Sequence, residues 1–131
     1  MKTILIVDDE KNLRLLYSQE LKLGGYQVFT AANGDDALQF LREHRVDLVI
    51  LDAKLEGQSG LEVLCAMMQQ NRRLKVILNT AYSYYRFDFT CWWADAFLIK
   101  SSDLQELKAK VHELAPLRLA PKRFMPQLLP S

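Results

Sequence analysis

The chain has 131 residues, half of them apolar, which is enough to form the core of one ordinary domain. Its formal net charge is +1, and both signs are mixed along the sequence, which argues against a nucleic-acid-binding or membrane-binding surface. No apolar run is long enough to span a bilayer, and the first one meets Asp8 at once, unlike the core of a signal peptide. We therefore expect a cytoplasmic protein.

Short apolar runs alternate with longer segments of helical periodicity. We predict strands at 3–7, 26–30, 47–51, 75–79 and 96–99, and helices at 11–23, 34–44, 59–70, 83–93 and 102–114. This alternation predicts parallel strands joined by right-handed crossovers, with helices on both faces of the sheet. The segment 83–93 is rich in aromatic residues and lacks the clean polar face of the other helices.

Residues at the helix ends agree with these boundaries. Gly24 and Gly25 close the first helix, where a residue at positive φ is needed. Asn33 can cap the second helix, with Asp36 near its third position. Residues 102–105 (SDLQ) have the spacing of a capping box for the last helix.

The composition changes after the last predicted helix. Prolines at 116, 121, 126 and 130 prevent a continuous helix there. We therefore divide the chain into a domain at 1–115 and a proline-rich tail or linker stub at 116–131. A partner-docking segment, or a strap lying back on the domain, is the alternative for the tail.

Polar residues stand at the ends of four predicted strands. The carboxyl ends of parallel strands meet at one edge of the sheet, where ligands bind in open α/β folds. We therefore expect the following residues to lie close together: Asp8, Asp9, Asp52, Thr80 and Lys100. Each residue alone has a simpler explanation, such as a turn former, a helix cap or a solvated surface lysine. All five together indicate a site.

The carboxylates at this edge indicate a divalent metal. Clustered carboxylates repel one another unless a cation lies between them. Mg²⁺ prefers oxygen ligands and usually binds through one or two carboxylates. We predict Asp9 and Asp52 as direct ligands, Asp8 as a direct or water-mediated ligand, and the backbone carbonyl of Lys54 as a further ligand.

The same residues suit phosphoryl transfer. An ionised Asp52 is a competent nucleophile toward phosphorus. Because charge spreads over the phosphoryl oxygens in the transition state, catalysis consists of positioning and charge neutralisation. The metal, Lys100, Thr80 and nearby backbone N–H groups would each stabilise part of that charge.

At these residues the chain resembles the response-regulator receiver domain of bacterial two-component signalling. The matching motifs are ILIVDDE at 4–10, LVILD at 48–52, GLEVL at 60–64, TA at 80–81 and FLIK at 97–100. The resemblance implies a flavodoxin-like, doubly wound sheet of five parallel strands in the order 2-1-3-4-5. It also implies Mg²⁺-dependent transfer of a phosphoryl group from a histidine kinase, or a phosphotransfer protein, onto Asp52.

The resemblance also implies a role for each site residue. Asp8 and Asp9 would bind Mg²⁺, and Lys100 and the backbone of Ala81 would stabilise the phosphoryl group. Thr80 would move to bond this group, and the switch would continue to the aromatic residue Phe97 on the last strand, which can equally be plain core. In the family, Lys54 and Tyr82 occupy positions that tune hydrolysis, and Tyr82 could shield the acyl phosphate from water.

Two departures from the family pattern concern prolines. Glu56 stands where the loop after the acceptor usually has proline, which leaves the rigidity of that loop open. Ser101 replaces the proline that usually follows the lysine. Receivers commonly have a cis bond there, at a cost of about 2.5–4 kcal/mol without proline. We expect a cis Lys100–Ser101 bond, with a trans bond and a shifted loop as the alternative.

The aromatic residues at 82–93 fall on the family's output face. They could form a partner-binding patch, or a compact helix that buries its rings. We expect output through contact with a downstream protein, and receivers also often form homodimers through this face.

Two other functions remain open from the sequence. One is an unphosphorylated pseudo-receiver that serves as a scaffold. The other is a Mg²⁺-dependent aspartyl-phosphate phosphatase, but such enzymes usually carry a second acid where this chain has Lys54. We therefore expect no enzyme acting on external substrates, only catalysis of the protein's own phosphorylation and dephosphorylation.

Overall fold

The computed structural model describes residues 1–117, apart from the side chains of residues 87, 89 and 91. The predicted tail from residue 118 onward lies outside the described residues. The elements in the described range, in chain order, are β1 (Thr3–Val7), α1 (Lys11–Leu23), β2 (Gln27–Ala31), α2 (Gly34–Glu43), β3 (Leu48–Leu51), β4 (Lys54–Leu55), β5 (Gln58–Ser59), α3 (Gly60–Gln70), β6 (Lys75–Thr80), 3-10 segments at Ser83–Phe87 and Phe89–Trp93, β7 (Ala96–Ile99) and α4 (Gln105–Leu114).

The main sheet is parallel throughout, with the strand order β2-β1-β3-β6-β7. This is the predicted order 2-1-3-4-5, because the two-residue strands β4 and β5 pair separately as an antiparallel hairpin. All residues of β1 and β3 are buried, as expected for strands covered by helices on both faces. The predicted fold class is therefore confirmed.

The core has two layers, one on each face of the sheet. Alternate strand residues point to opposite faces, so Leu5 and Val49 pack in the layer beneath α2 and α3. Ile6 and Ile50 pack in the layer beneath α1 and α4. Leu117 packs against the second layer, beyond the predicted domain boundary at 115.

Two predicted helix ends are confirmed. Gly25 has φ = 99° and follows the end of α1, where its lack of a Cβ permits the left-handed conformation. The Asn33 side chain caps α2 by accepting a hydrogen bond from the Asp36 peptide N–H at 2.8 Å.

The predicted helix at 83–93 is wrong, because two 3-10 segments meet there at Asp88. Asp88 has an extended backbone (φ −84°, ψ 130°), and its carboxylate accepts a hydrogen bond from the Thr90 N–H at 2.8 Å. A short aspartate side chain that bonds the backbone two residues ahead competes with helical hydrogen bonding. The aromatic residues also lose side-chain freedom in an α-helix, so their helix propensity does not oppose the interruption at Asp88.

The predicted capping box at 102–105 does not form, and α4 begins later, at Gln105. Asp103 instead accepts a hydrogen bond from the Gln105 N–H at 3.0 Å, and Ser101 Oγ accepts one from the Asp103 N–H at 3.1 Å. The Gln105 N–H, which the Ser102 side chain would have bonded in a capping box, therefore already has Asp103 as its acceptor.

The Lys100–Ser101 peptide bond is trans, so the expected cis bond is wrong. Without proline the trans form is strongly preferred. Lys100 nevertheless continues the ladder from β7, because its N–H donates to the Thr80 carbonyl at 2.8 Å. Strand pairing therefore positions this lysine without the cis turn.

Within residues 1–117, no helix has the combination of length and apolarity needed to cross a membrane.

Candidate functional site

The strand ends bring the predicted polar residues to one edge of the sheet. Asp8 follows β1 and Asp52 follows β3, and the Asp52 N–H donates to the Val7 carbonyl at 3.0 Å. The parallel ladder therefore extends to the acidic residue itself. Because parallel strands end at the same edge, Lys100, which follows β7, reaches the same rim.

The carboxylates of Asp8, Asp9 and Asp52 form a cluster at this rim. One oxygen atom from each lies within 4.8 Å of the other two. Asp8 and Asp52 are only 2% and 6% exposed, so little water screens their repulsion. The cluster therefore needs positive charge nearby.

Lys100 supplies part of this charge. Its ammonium lies 2.8 Å from Asp8 Oδ2 and 2.9 Å from Asp52 Oδ2, while Glu10 is more distant at 4.0 Å. Burial disfavours the charged lysine, but hydrogen bonds to Asp52 and Asp8 outweigh it and raise the pKa of Lys100 above its ordinary value. Lys100 is therefore a fixed cation at neutral pH.

Burial opposes the ionisation of Asp8. Desolvation raises the pKa of Asp8 above its ordinary value, although hydrogen bonds from Lys100 and from the Glu10 N–H act in the opposite direction. The Glu10 N–H lies 2.9 Å from Asp8 Oδ1. A further cation at the rim would stabilise the ionised form.

The backbone around Asp52 is held closely by the start of α3. The Gly60 N–H donates to the Ala53 carbonyl at 2.8 Å. A Cβ on Gly60 would collide with the Asp52 carbonyl oxygen, so only glycine permits this approach. The Asp52 side chain is held as well, because Oδ1 accepts a hydrogen bond from the Lys54 N–H at 3.1 Å.

A cavity of about 580 Å³ opens in front of the cluster. Its lining includes Asp9, Asp52, Lys54, Ala81 and Lys100. The predicted acceptor Asp52 and four other predicted site residues therefore share one space.

The two predicted switch residues lie outside the lining of this cavity. Thr80 is fully buried at the end of β6, and its hydroxyl accepts a long hydrogen bond from the Tyr82 N–H at 3.4 Å. Phe97 is half-buried against the core, and the Arg86 guanidinium lies 5.3 Å from its ring centre.

Two contacts near the cluster carried no signal in the sequence. The Arg14 guanidinium donates to the Asp8 carbonyl at 2.7 Å, and Gln58 Oε1 accepts a hydrogen bond from the Gly34 N–H at 2.9 Å. Arg14 lies in a predicted helix and Gln58 in the loop after Asp52, and neither position predicts these partners. Tertiary packing alone brings them to these partners.

The donor set fits Mg²⁺. Three carboxylates converge at an open rim, and the adjacent Lys54 belongs to the β4–β5 hairpin that borders the cavity. A hard cation that binds oxygen ligands and retains several waters suits such a site. Among the described residues this is the group of acids that could hold a metal ion.

The chain belongs to the response regulator receiver domain family, whose model matches residues 4–112. The predicted family is thus confirmed.

Individual relatives agree in sequence and in structure. The chain is 36% identical over 117 residues to sporulation initiation phosphotransferase F of Bacillus subtilis, which covers 88% of this chain and 94% of that protein. It is 35% identical to the response regulator ArlR of Staphylococcus aureus, over 94% of this chain but only 56% of the longer relative.

Among solved structures, the chain resembles the response regulator TrrA of Thermotoga maritima. The TrrA complex with Mg²⁺-BeF is 47% identical, with a TM-score of 0.84 over 87% of this chain and 99% of TrrA. TrrA in complex with the histidine kinase ThkA gives a TM-score of 0.82 at the same identity, over 88% of this chain and 99% of TrrA.

Proposed function

We propose that this protein accepts a phosphoryl group on Asp52 from the phosphohistidine of a histidine kinase or phosphotransfer protein. The observation that carries the proposal is the contact of Asp52 with the Lys100 ammonium at the edge of a three-carboxylate cluster. Membership of the receiver family and the TrrA–ThkA complex support this class of donor.

Asp8, Asp9, Asp52 and the backbone carbonyl of Lys54 would hold Mg²⁺ at this site. The TrrA structure with Mg²⁺-BeF supports this assignment. When bound, Mg²⁺ supplies positive charge that neutralises the transferring phosphoryl oxygens.

The chain's own residues then orient the acceptor. The Lys54 N–H and the Lys100 ammonium hold the two oxygens of Asp52, so its carboxylate is fixed before the donor arrives. During transfer an Asp52 oxygen forms a bond to phosphorus as the bond from phosphorus to the donor imidazole nitrogen breaks. Lys100 and the Ala81 N–H would bond the phosphoryl oxygens and stabilise their charge.

The switch that follows would begin at Thr80. Its hydroxyl accepts a long hydrogen bond of 3.4 Å from the Tyr82 N–H, and a new phosphoryl group could attract it. Phe97 carries no polar group, so its ring can change position without leaving a buried donor unsatisfied. The contact of Arg86 with this ring would link the change to the surface that binds a downstream protein or a second copy of the chain.

We further propose that the protein turns over no external substrate. Lys54 occupies the position two residues after the acceptor, and its ammonium lies 5.0 Å from the Tyr82 ring centre. A lysine at this position does not replace the second carboxylic acid with which such phosphatases usually carry out repeated phosphoester turnover. The catalysis is limited to the protein's own phosphorylation and dephosphorylation.

Intact-mass measurement after incubation with Mg²⁺ and acetyl phosphate tests this proposal. We expect one phosphoryl adduct on the wild type and none on Asp52→Ala. Multiple turnover of phosphate esters would instead indicate a phosphatase, and absence of an adduct would indicate an unphosphorylated scaffold.

A further inference from the structure

The loop after Asp52 forms a short hairpin in this chain. Lys54 pairs with Ser59 and Leu55 with Gln58, in antiparallel register. Gly57 forms the turn with φ = 68°, a backbone conformation that residues other than glycine rarely adopt. The hairpin therefore has defined pairing even though Glu56 stands in its turn.

Both strands of the hairpin are attached to the domain. Leu55 is only 3% exposed and packs in the core layer beneath α2 and α3. On the other strand, Gln58 Oε1 accepts a hydrogen bond from the Gly34 N–H at 2.9 Å. Ser59 caps α3 by accepting a hydrogen bond from the Leu61 N–H at 3.2 Å.

The partner of Gln58 is a donor that α2 cannot satisfy itself. Gly34 is the first residue of α2, and the first N–H groups of a helix have no acceptor within that helix. A Cβ on Gly34 would collide with Val63 and lie 2.8 Å from Gln58 Oε1, so α2 begins in direct contact with the hairpin. The hydrogen bond is therefore enclosed by packing.

We propose that Gln58 is a positioning residue for the metal site. It ties the hairpin to the start of α2, and the cross-strand pairs then hold the backbone carbonyl of Lys54 at the rim of the acidic cluster. This inference rests on the proposed function, because Lys54 is assigned there as a metal ligand. In this chain the Gln58 side chain anchors the loop, whereas the family usually has a rigid proline at the position of Glu56.

The test compares three Gln58 variants with a matched control. Gln58→Met keeps the length of the side chain but removes the acceptor, Gln58→Ala repeats this loss with a smaller residue, and Gln58→Glu keeps an acceptor. Gln39→Met makes the same chemical change at an exposed position of α2, where Gln39 bonds Glu43. The measurements are the Mg²⁺ dissociation constant, the melting temperature without metal, and the rate of adduct formation with acetyl phosphate.

We expect Gln58→Met and Gln58→Ala to weaken Mg²⁺ binding about three- to tenfold, as loss of one hydrogen bond would. Gln58→Glu should bind Mg²⁺ at least as tightly as the wild type, and Gln39→Met should be unchanged. Saturating Mg²⁺ should restore the adduct rate of Gln58→Met, because the defect lies in metal affinity.

A lowered melting temperature with unchanged Mg²⁺ affinity would assign Gln58 a purely structural role and overturn the inference, while the proposed function would stand. An adduct rate that stays low at saturating Mg²⁺ would also overturn it. If the wild type itself bound no Mg²⁺, the inference and the proposed function would fail together.

Discussion

Asp8 shows most clearly the electrostatic cost of burying carboxylates in this cluster. It is 2% exposed, and desolvation raises its pKa above the ordinary value of 3.8. The folded chain therefore binds the Asp8 proton more tightly than the unfolded chain does. The corresponding stability is fully present below pH 3.8 and is lost as the pH rises through the raised pKa of the folded state.

We accordingly expect Asp8→Asn to raise the melting temperature of the metal-free protein at pH 7, because asparagine keeps an acceptor for Lys100 without the buried charge. The gain should shrink as the pH falls toward 4, where Asp8 itself becomes protonated. Added Mg²⁺ should stabilise the wild type more than the variant. Thermal unfolding at both pH values, with and without Mg²⁺, measures this, and a variant less stable at pH 7 without metal would contradict it.

We propose that Tyr82 limits the access of water to Asp52, the proposed acceptor. Its ring packs beside the Lys54 ammonium, and both residues line the cavity that contains Asp52. We expect Tyr82→Ala to speed decay of the phosphorylated protein several-fold, because the cavity becomes more open. The decay is followed by intact mass after removal of the phosphodonor. Tyr84→Ala is the control, since Tyr84 is exposed and does not line the cavity, and equal decay of all three proteins would argue against shielding.

At the scale of elements, apolar patterning and strand order could be predicted, but local hydrogen bonding could not always be. The strands β1 and β3 are continuous apolar runs, and the rule that parallel strands end at one edge is enough to bring Asp8, Asp52 and Lys100 together. The break at Asp88 depended on which of two local hydrogen-bonding patterns is the more stable, and residue types alone do not decide that. The contact of Gln58 with α2 depends on packing between elements distant in sequence, so no local pattern indicates it.

The two helix starts give a direct test of capping. Asn33→Ala should lower the free energy of unfolding by about 1 kcal/mol, because the Asp36 N–H loses its acceptor. Ser102→Ala should change it by less than about 0.5 kcal/mol, as for a surface substitution, since Ser102 caps no helix in the structure. Urea unfolding of both variants measures this, and a larger loss of stability for Ser102→Ala would indicate that Ser102 caps α4 after all.

At the scale of the whole molecule, the parallel sheet separates the site from Leu117, the last residue that the structure describes. The acidic cluster is at the carboxyl ends of the strands, whereas Leu117 packs near Gly25, just before the amino end of β2. The contacts described for the site are made by residues between Val7 and Lys100. We therefore propose that the receiver domain functions without the proline-rich tail.

Deletion of residues 118–131 tests this division. We expect the shortened chain to keep the melting temperature of the full chain and to form the Asp52 adduct at the same rate with acetyl phosphate. A marked loss of either would show that residues 118–131 form a strap that stabilises the domain, rather than a linker or a free tail.

The most direct test of the phosphoacceptor assignment is the Mg²⁺ dependence of the Asp52 adduct. Intact mass is measured across a Mg²⁺ titration with acetyl phosphate, for the wild type, Asp9→Asn and the control Asp35→Asn, which alters an exposed acid away from the cavity. We predict no adduct in a chelator, half-maximal formation at the Mg²⁺ dissociation constant, and a shift to higher Mg²⁺ for Asp9→Asn alone. Equal adduct formation with and without the metal would contradict the assignment.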